Sequence, residues 1–288
     1  MSLIHPRVGI VGGRGRMGLW FARLLEGQGF EVLCAGRKTA LRPLETARLC
    51  DVVVVSVPIH MTEEIIREIG PVVREEGLLM DLTSLKKAPV EAMLKYSRAE
   101  VLGVHPLFGP CEKTNQGLKV VLCPARGAEG PAWAKGVFQK EGLETILMEP
   151  ETHDVSMGLI QGLSHFSTLS LALAIMRSGL PLDEMLRLAT PSFEQKIDRI
   201  REMTGQPAEL FCSLLMENPG AGGFLSEYLA SAGDLEGVIR EGDKEAFTRF
   251  FETIKHFFRW ERGAEGRRET LPIIEEDLEN RASAHDGP

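Results

Sequence analysis

The sequence predicts an α/β domain built on a doubly wound parallel sheet, followed from about residue 150 by an all-α domain. Three observations carry that expectation. Short β-rich runs alternate with helical patterns through the first half of the chain, as strand–helix–strand units do. Asp51–Val57, DVVVVSV, holds an unbroken valine run, as a strand buried on both faces of a parallel sheet requires. Beyond Glu149-Pro150 the period turns helical, punctuated by Pro181, Pro191, Pro207 and the NPGAGG run from Asn218 to Gly223.

The elements follow in order. Arg7–Val11 reads as a strand, Met17–Gln28 as an amphipathic helix and Glu31–Ala35 as a second strand. Strands are then expected at Asp51–Val57, Leu78–Asp81, Val101–Val104, Lys119–Cys123 and Thr145–Met148, with helices between most of them. The division expected is 1–150 for dinucleotide binding and 151–288 for a helical substrate domain, with a frayed tail over Asn280–Pro288.

Composition narrows the classes. With 43% apolar and 26% charged residues, the 288-residue chain has the balance of a soluble globular protein. A formal net charge of −8 argues against nucleic acid as the partner, and any anionic ligand must be met by locally placed cations. The five cysteines (34, 50, 111, 123 and 212) are scattered without metal-type spacing and read as reduced thiols. No leader pattern opens the chain, and no apolar run is expected to reach the roughly 20 residues that cross a bilayer. The expectation is a cytoplasmic protein with no metal and no membrane partner.

Gly13-Arg14-Gly15-Arg16-Met17-Gly18 fits G-x-G-x-x-G, a weak signal alone. Here it follows the strand RVGIV and opens the helix MGLWFARLL, the context of a Rossmann-type phosphate turn. Gly13, Gly15 and Gly18, with the backbone of Arg16 and Met17, are the expected cradle for a pyrophosphate. At the end of the second strand, where NAD-specific folds carry an acid for the ribose hydroxyls, stand Arg37 and Lys38. They suit a 2′-phosphate, so NADP is expected ahead of NAD. Ser56, Val57 and Pro58, after the third strand, are expected cofactor contacts.

The fourth strand runs into Asp81-Leu82-Thr83-Ser84-Leu85-Lys86-Lys87 and the fifth into His105-Pro106. Ligands of open parallel sheets bind beyond these strand ends. There an imidazole can accept a proton or hydrogen bond from a substrate hydroxyl, and His105 is the candidate base. In ETHDVSMGLIQGLSHFSTLSLALAI, read as one long helix, Met157, Gln161 and His165 recur at four-residue spacing on one face. Gln161 and His165 fit either an interhelix hydrogen bond or substrate contact. His153 reads as a helix-entry residue.

With these residues assembled, the chain resembles the prephenate/arogenate dehydrogenase family, in particular the dehydrogenase part of the bacterial bifunctional T-protein. The stretches that carry the resemblance are VGGRGRMG, DVVVVSVPI, MDLTSLKKAPVEAML, VLGVHPLFGP, HDVSMGLIQGLSHFSTL and ATPSF. The resemblance implies oxidative decarboxylation of a cyclohexadienyl substrate such as prephenate, in aromatic amino-acid biosynthesis, with hydride passing to NAD(P). It implies that His105 accepts a hydrogen bond from the ring hydroxyl, that Ser84 and Lys86 contact substrate, and that Gln161 and His165 line the pocket. It also implies a homodimer joined through the helical domain.

One position departs from the family pattern. After the S-P-x-Y/F motif the T-protein has an Arg that grips a substrate carboxylate, and TPSFEQKIDRI has Glu194 there. Lys196, Arg199 and Arg201 are the nearby cations. An ammonium-bearing substrate, arogenate or 4-amino-4-deoxyprephenate, would pair with Glu194. The other readings are a hydroxyacid or imine oxidoreductase on the same fold, and a catalytically inactive dinucleotide-sensing regulator.

Overall fold

A computed structural model describes residues 5–110 and 114–258; Cys111 and the tail expected over 280–288 lie outside them. The elements run β1 (Val8–Val11), α1 (Arg16–Gly27), β2 (Val32–Ala35), α2 (Pro43–Leu49), β3 (Val52–Val55), α3 (Ile59–Ile69), β4 (Leu78–Asp81), α4 (Lys87–Tyr96), β5 (Glu100–Pro106), β6 (Lys119–Arg126), α5 (Glu129–Lys140) and β7 (Glu144–Leu147). Helices follow: α6 (Pro150–Met157), a π-helical turn (Gly158–Leu163), α7 (Ser164–Arg177), α8 (Leu182–Arg187), α9 (Pro191–Thr204), α10 (Ala208–Met216), α11 (Ala221–Glu241) and α12 (Lys244–Phe258).

The seven strands form one sheet in the order β2-β1-β3-β4-β5-β6-β7. Every neighbouring pair is parallel except β5–β6, which is antiparallel. That exception has a topological cause. The other parallel neighbours are joined by helical crossovers, whereas the described residues between β5 and β6 contain no helix to carry the chain back across the sheet.

Alternation along the strands divides the core between two faces. Val52 and Val54 pack with Ile10, Met80, Leu102, Val104 and the α1 and α5 residues Phe21, Leu25 and Phe138. Val53 and Val55 pack with Val11, Leu79, Val101 and the α3 and α4 residues Ile66, Ile69 and Met93. Both faces are therefore covered, as valine-rich parallel strands need. The same alternation sends His105 to the face of Val101 and Gly103, where α4 lies.

The described residues divide into two compact units, with the boundary between Ala230 and Ser231. The described part of the second unit is the end of α11 and the whole of α12. In the first unit, one continuous helical stretch, Pro150–Arg177, is long and apolar enough to cross a bilayer by length and composition, with a mean hydropathy of 1.4. The sequence reading expected no such run. None of the residues of α7 is buried.

The long helix expected from the sequence is interrupted by the π turn at Gly158–Leu163. Gly158 lies against Gly220, where an added Cβ would come within 2.7 Å of the Gly220 carbonyl carbon. The π turn inserts backbone into the α-helical repeat. Met157, Gln161 and His165 therefore do not share the simple four-residue phase that the sequence suggested.

Candidate active site

The glycine turn is built as its context predicts. Gly12 donates its N–H to Ala35 at 2.8 Å, and Gly15 donates to Gly12 O at 2.8 Å. Gly12 has φ +89°, a conformation only glycine adopts without strain, and a Cβ there would collide with the Ser56 carbonyl. Gly18 lets α1 press onto the turn, since a Cβ would lie 2.5 Å from Gly12 O and 2.9 Å from Gly13 Cα. Gly12, one residue before the motif, is the left-handed position that the motif reading missed.

The turn fits a dinucleotide phosphate. Helix α1 begins after Gly15 with no side-chain cap and no acid in its first turn, so the helix itself brings no anion to that end. Ser56 donates its N–H to Val11 O at 2.8 Å, which sets Ser56, Val57 and Pro58 beside the turn. Arg37 and Lys38 are exposed in the loop after β2. That loop is closed by Thr39, whose Oγ1 accepts from Gly36 N–H at 2.7 Å and donates to Leu41 O at 2.7 Å. Arg14 lies close enough to offset part of the burial that pushes the Cys34 thiol up.

At the end of β4, Asp81 is buried with its Oδ2 accepting from Thr83 N–H at 2.9 Å and Thr83 Oγ1 at 2.6 Å. The same oxygen forms an ion pair with Lys86 Nζ, and the ammonium also donates to Val104 O at 2.8 Å. Asp81 Oδ1 has no hydrogen-bond partner among the described residues. Lys86 is 0% exposed. Its stem crosses Gly103, where an added Cβ would sit 3.2 Å from Lys86 Cδ. The sequence reading expected a substrate-facing ammonium. The structure turns it inward, because the buried Asp81 carboxylate at the end of β4 needs a cation. Ser84, in the same turn, is half-buried.

His105 is 3% exposed. Its Nδ1 lies 2.8 Å from His153 Nε2 and its Nε2 lies 3.4 Å from Gln161 Nε2. His153 Nδ1 in turn lies 2.7 Å from Asp154 Oδ1. Asp154 also caps the start of α4: Oδ1 accepts from Lys86 N–H at 2.8 Å and Oδ2 from Lys87 N–H at 2.9 Å. Asn218 donates from Nδ2 to the Asp154 carbonyl oxygen, in the last turn of α6, at 2.9 Å. Burial, then His153, then the Lys86 ammonium hold the His105 pKa well below its ordinary 6.5.

The structure thus brings His105, Lys86 and Gln161 together and sets the glycine turn against Ser56. Gln161 Oε1 is buried without a hydrogen-bond partner among the described residues. His165 is half-buried, its ring edge-on to Phe211 with centroids 5.2 Å apart. Burial, and then Arg199, lower its pKa. Glu194 is exposed in the first turn of α9, where an acid suits the helix dipole, and it forms no ion pair among the described residues. His153 and Asp154 are the site residues that the sequence reading missed. The signal available was an adjacent His-Asp pair at a helix start, which elsewhere is an ordinary capping pattern. Among the described residues no cluster of His, Cys, Asp and Glu could hold a metal ion.

The chain matches two family models in succession. Residues 33–146 match the prephenate dehydrogenase nucleotide-binding domain, and residues 149–253 match the prephenate dehydrogenase dimerization domain. A probable arogenate/prephenate dehydrogenase of Methanocaldococcus jannaschii is 33% identical, over 93% of this chain and 64% of its own. The T-protein of Enterobacter agglomerans is 30% identical over 86% and 66%, and that of Haemophilus influenzae 32% over 89% and 68%. The chain spans about two thirds of the length of these relatives. A prephenate dehydrogenase from A. aeolicus, in complex with hydroxyphenyl propionate and NAD+, superposes with a TM-score of 0.68 at 20% identity, over 88% of this chain and 98% of that one. Synechocystis arogenate dehydrogenase gives a TM-score of 0.68 at 19% identity, over 87% and 98%. At these identities the likeness to both structures is one of fold.

Proposed function

Because the chain belongs to the prephenate dehydrogenase family, we propose that it oxidatively decarboxylates a cyclohexadienyl carboxylate of the prephenate/arogenate kind. The observation that carries this reading is His105, kept neutral at the end of β5 with its Nε2 turned toward Gln161. A bound nicotinamide dinucleotide supplies the acceptor for hydride. His105 Nε2 accepts a hydrogen bond from the ring hydroxyl, which raises electron density at the carbon that loses hydride. The two electrons leaving with hydride are replaced in the ring by those of the bond to the carboxylate, which departs as carbon dioxide, and the ring becomes aromatic. Ser84, Gln161 and His165 contact the substrate. Lys86 acts on His105 through its charge. The test is a matrix of initial rates, with NAD and NADP against prephenate, arogenate and 4-amino-4-deoxyprephenate. No turnover in any cell of that matrix would remove the reading.

Gly13, Gly15, Arg16, Met17 and Gly18 hold the pyrophosphate, with Ser56, Val57 and Pro58 beyond it. The exposed Arg37 and Lys38, with no acid beside them, favour NADP. A hydrogen bond to a charged group contributes about 1.5–3 kcal/mol. Arg37→Ser is therefore expected to raise KM for NADP about tenfold or more and to leave KM for NAD nearly unchanged. Equal effects on both would assign Arg37 to the shared part of the cofactor.

Prephenate leads as substrate, and Glu194 is the residue that would favour an amine. A charge change at a partly screened distance contributes on the order of 1 kcal/mol, about a fivefold effect. Glu194→Arg is expected to shift the kcat/KM ratio toward prephenate, and away from arogenate, by at least that factor. An unchanged ratio removes Glu194 from substrate choice.

A division near residue 150 agrees with the gap between the two family matches, with dinucleotide binding before it and substrate binding and dimerisation after it. The uncovered face of α7 lies within the dimerization match, so a second copy of the chain is its proposed cover. The expected species in sedimentation is a homodimer, and a biosynthetic role fits a cytoplasmic location.

A further inference from the structure

Two buried imidazoles and one carboxylate stand in a row, and the hydrogens along it can be placed from its far end. Both oxygens of Asp154 accept backbone N–H groups, those of Lys86 and Lys87. The 2.7 Å contact from His153 Nδ1 to Asp154 Oδ1 therefore needs its hydrogen on the ring nitrogen. A neutral imidazole with hydrogen on Nδ1 carries its lone pair on Nε2. His153 Nε2 is thus the acceptor in the 2.8 Å contact with His105, and the hydrogen there belongs to His105 Nδ1. The only lone pair left on the His105 ring is at Nε2, the atom that faces Gln161.

We infer that His153 and Asp154 are positioning residues that lock His105 as its Nδ1–H tautomer and so keep a basic Nε2 aimed at the substrate hydroxyl. The tautomer follows from the row itself; its use in catalysis rests on the dehydrogenase reading above. The row also steadies the cation that His105 becomes as it takes up hydrogen-bond character at Nε2, since Nδ1–H already points at His153 and, through it, at Asp154.

Asp154→Ala takes away the acceptor that holds hydrogen on His153 Nδ1, so the row no longer fixes His105, whose hydrogen is then shared between Nδ1 and Nε2. Asp154→Asn is the weaker choice, because its amide oxygen can stay at the Oδ1 position and accept from both Lys86 N–H and His153 Nδ1–H. The expected consequence of Asp154→Ala is a several-fold fall in kcat with KM little changed, since only rings with the lone pair at Nε2 accept from the substrate hydroxyl. The direct readout is a two-bond 1H–15N correlation on the full chain labelled in histidine, taken at neutral pH without substrate. His105 is assigned by the signal lost in His105→Asn. Wild type is expected to show hydrogen on His105 Nδ1 alone, and Asp154→Ala to show it on both ring nitrogens.

An unmixed Nδ1–H tautomer in Asp154→Ala as in wild type, or Nε2–H in wild type, overturns the inference. Because Asp154 also caps α4, His153→Gln is the companion variant. Its amide oxygen can still accept from His105 Nδ1–H with Asp154 untouched. His105 should keep its tautomer and the variant most of its kcat; loss of that tautomer in a folded His153→Gln protein would also overturn the inference. Absence of turnover by wild type on every cyclohexadienyl acid would reject the reaction, while the substrate-free spectra would still decide on the row.

Discussion

His105→Asn is expected to lower kcat about 10²–10⁴-fold, the range that a positioned acid–base group contributes, and to change KM little. Asn retains an amide where Nδ1 stood, so the bond to His153 and the local packing can survive. What disappears is Nε2, the atom 3.4 Å from Gln161. The pH profile of the wild type is the companion measurement. A protonated ring has no lone pair at Nε2, so activity must fall as pH drops through the pKa of His105. That pKa is depressed by burial, by His153 and by Lys86; the other charged groups facing the ring are Asp154 behind His153 and Asp81 behind Lys86. The acid limb of kcat/KM should therefore lie below 6.5, with activity holding as pH passes down through that value. A limb at or above 6.5 would mean that a different group titrates.

The part of this fold readable from sequence was the part written in local pattern. Val52–Val55 and the strand–turn–helix around Gly13, Gly15 and Gly18 emerged because a valine-rich run and a glycine motif leave marks within a few residues. The antiparallel placement of β6 left no such mark, since Lys119–Cys123 has the same residue types whichever way it runs. The π turn was equally silent, because its cause lies partly in the close approach of Gly220, some sixty residues away.

The candidate site divides along the same line. His105 could be singled out because Pro106 follows it at the end of a strand. Its partner could not, because His153 is 48 residues away and its contact exists only after α6 has packed on the β5 end of the sheet. Lys86 shows the converse failure. Two adjacent lysines look alike in sequence, yet Lys87 reaches an exposed ion pair with Glu151 at 2.6 Å while Lys86 is buried whole. What distinguishes them is Asp81, which stands at the end of a neighbouring strand and pairs with no other cation among the described residues.

Lys86→Met is expected to destabilise the protein by about 3–5 kcal/mol, the cost of leaving one member of a buried ion pair without the other. Against a total stability of about 5–15 kcal/mol this is a large loss, readable as an earlier midpoint in urea. Asp81 would keep only its Thr83 donors, and Val104 O would lose its hydrogen bond. The double variant Asp81→Asn with Lys86→Met removes both charges and should recover most of the loss, which separates the charge effect from lost packing around Gly103. Lys86 also bears on the chemistry, because its ammonium is among the causes that depress the His105 pKa. In the folded fraction of Lys86→Met that influence is gone, so the acid limb should move upward toward 6.5, with KM for the substrate little altered. A selective rise in KM with an unmoved limb would instead make Lys86 the carboxylate contact that its neighbours in sequence suggested.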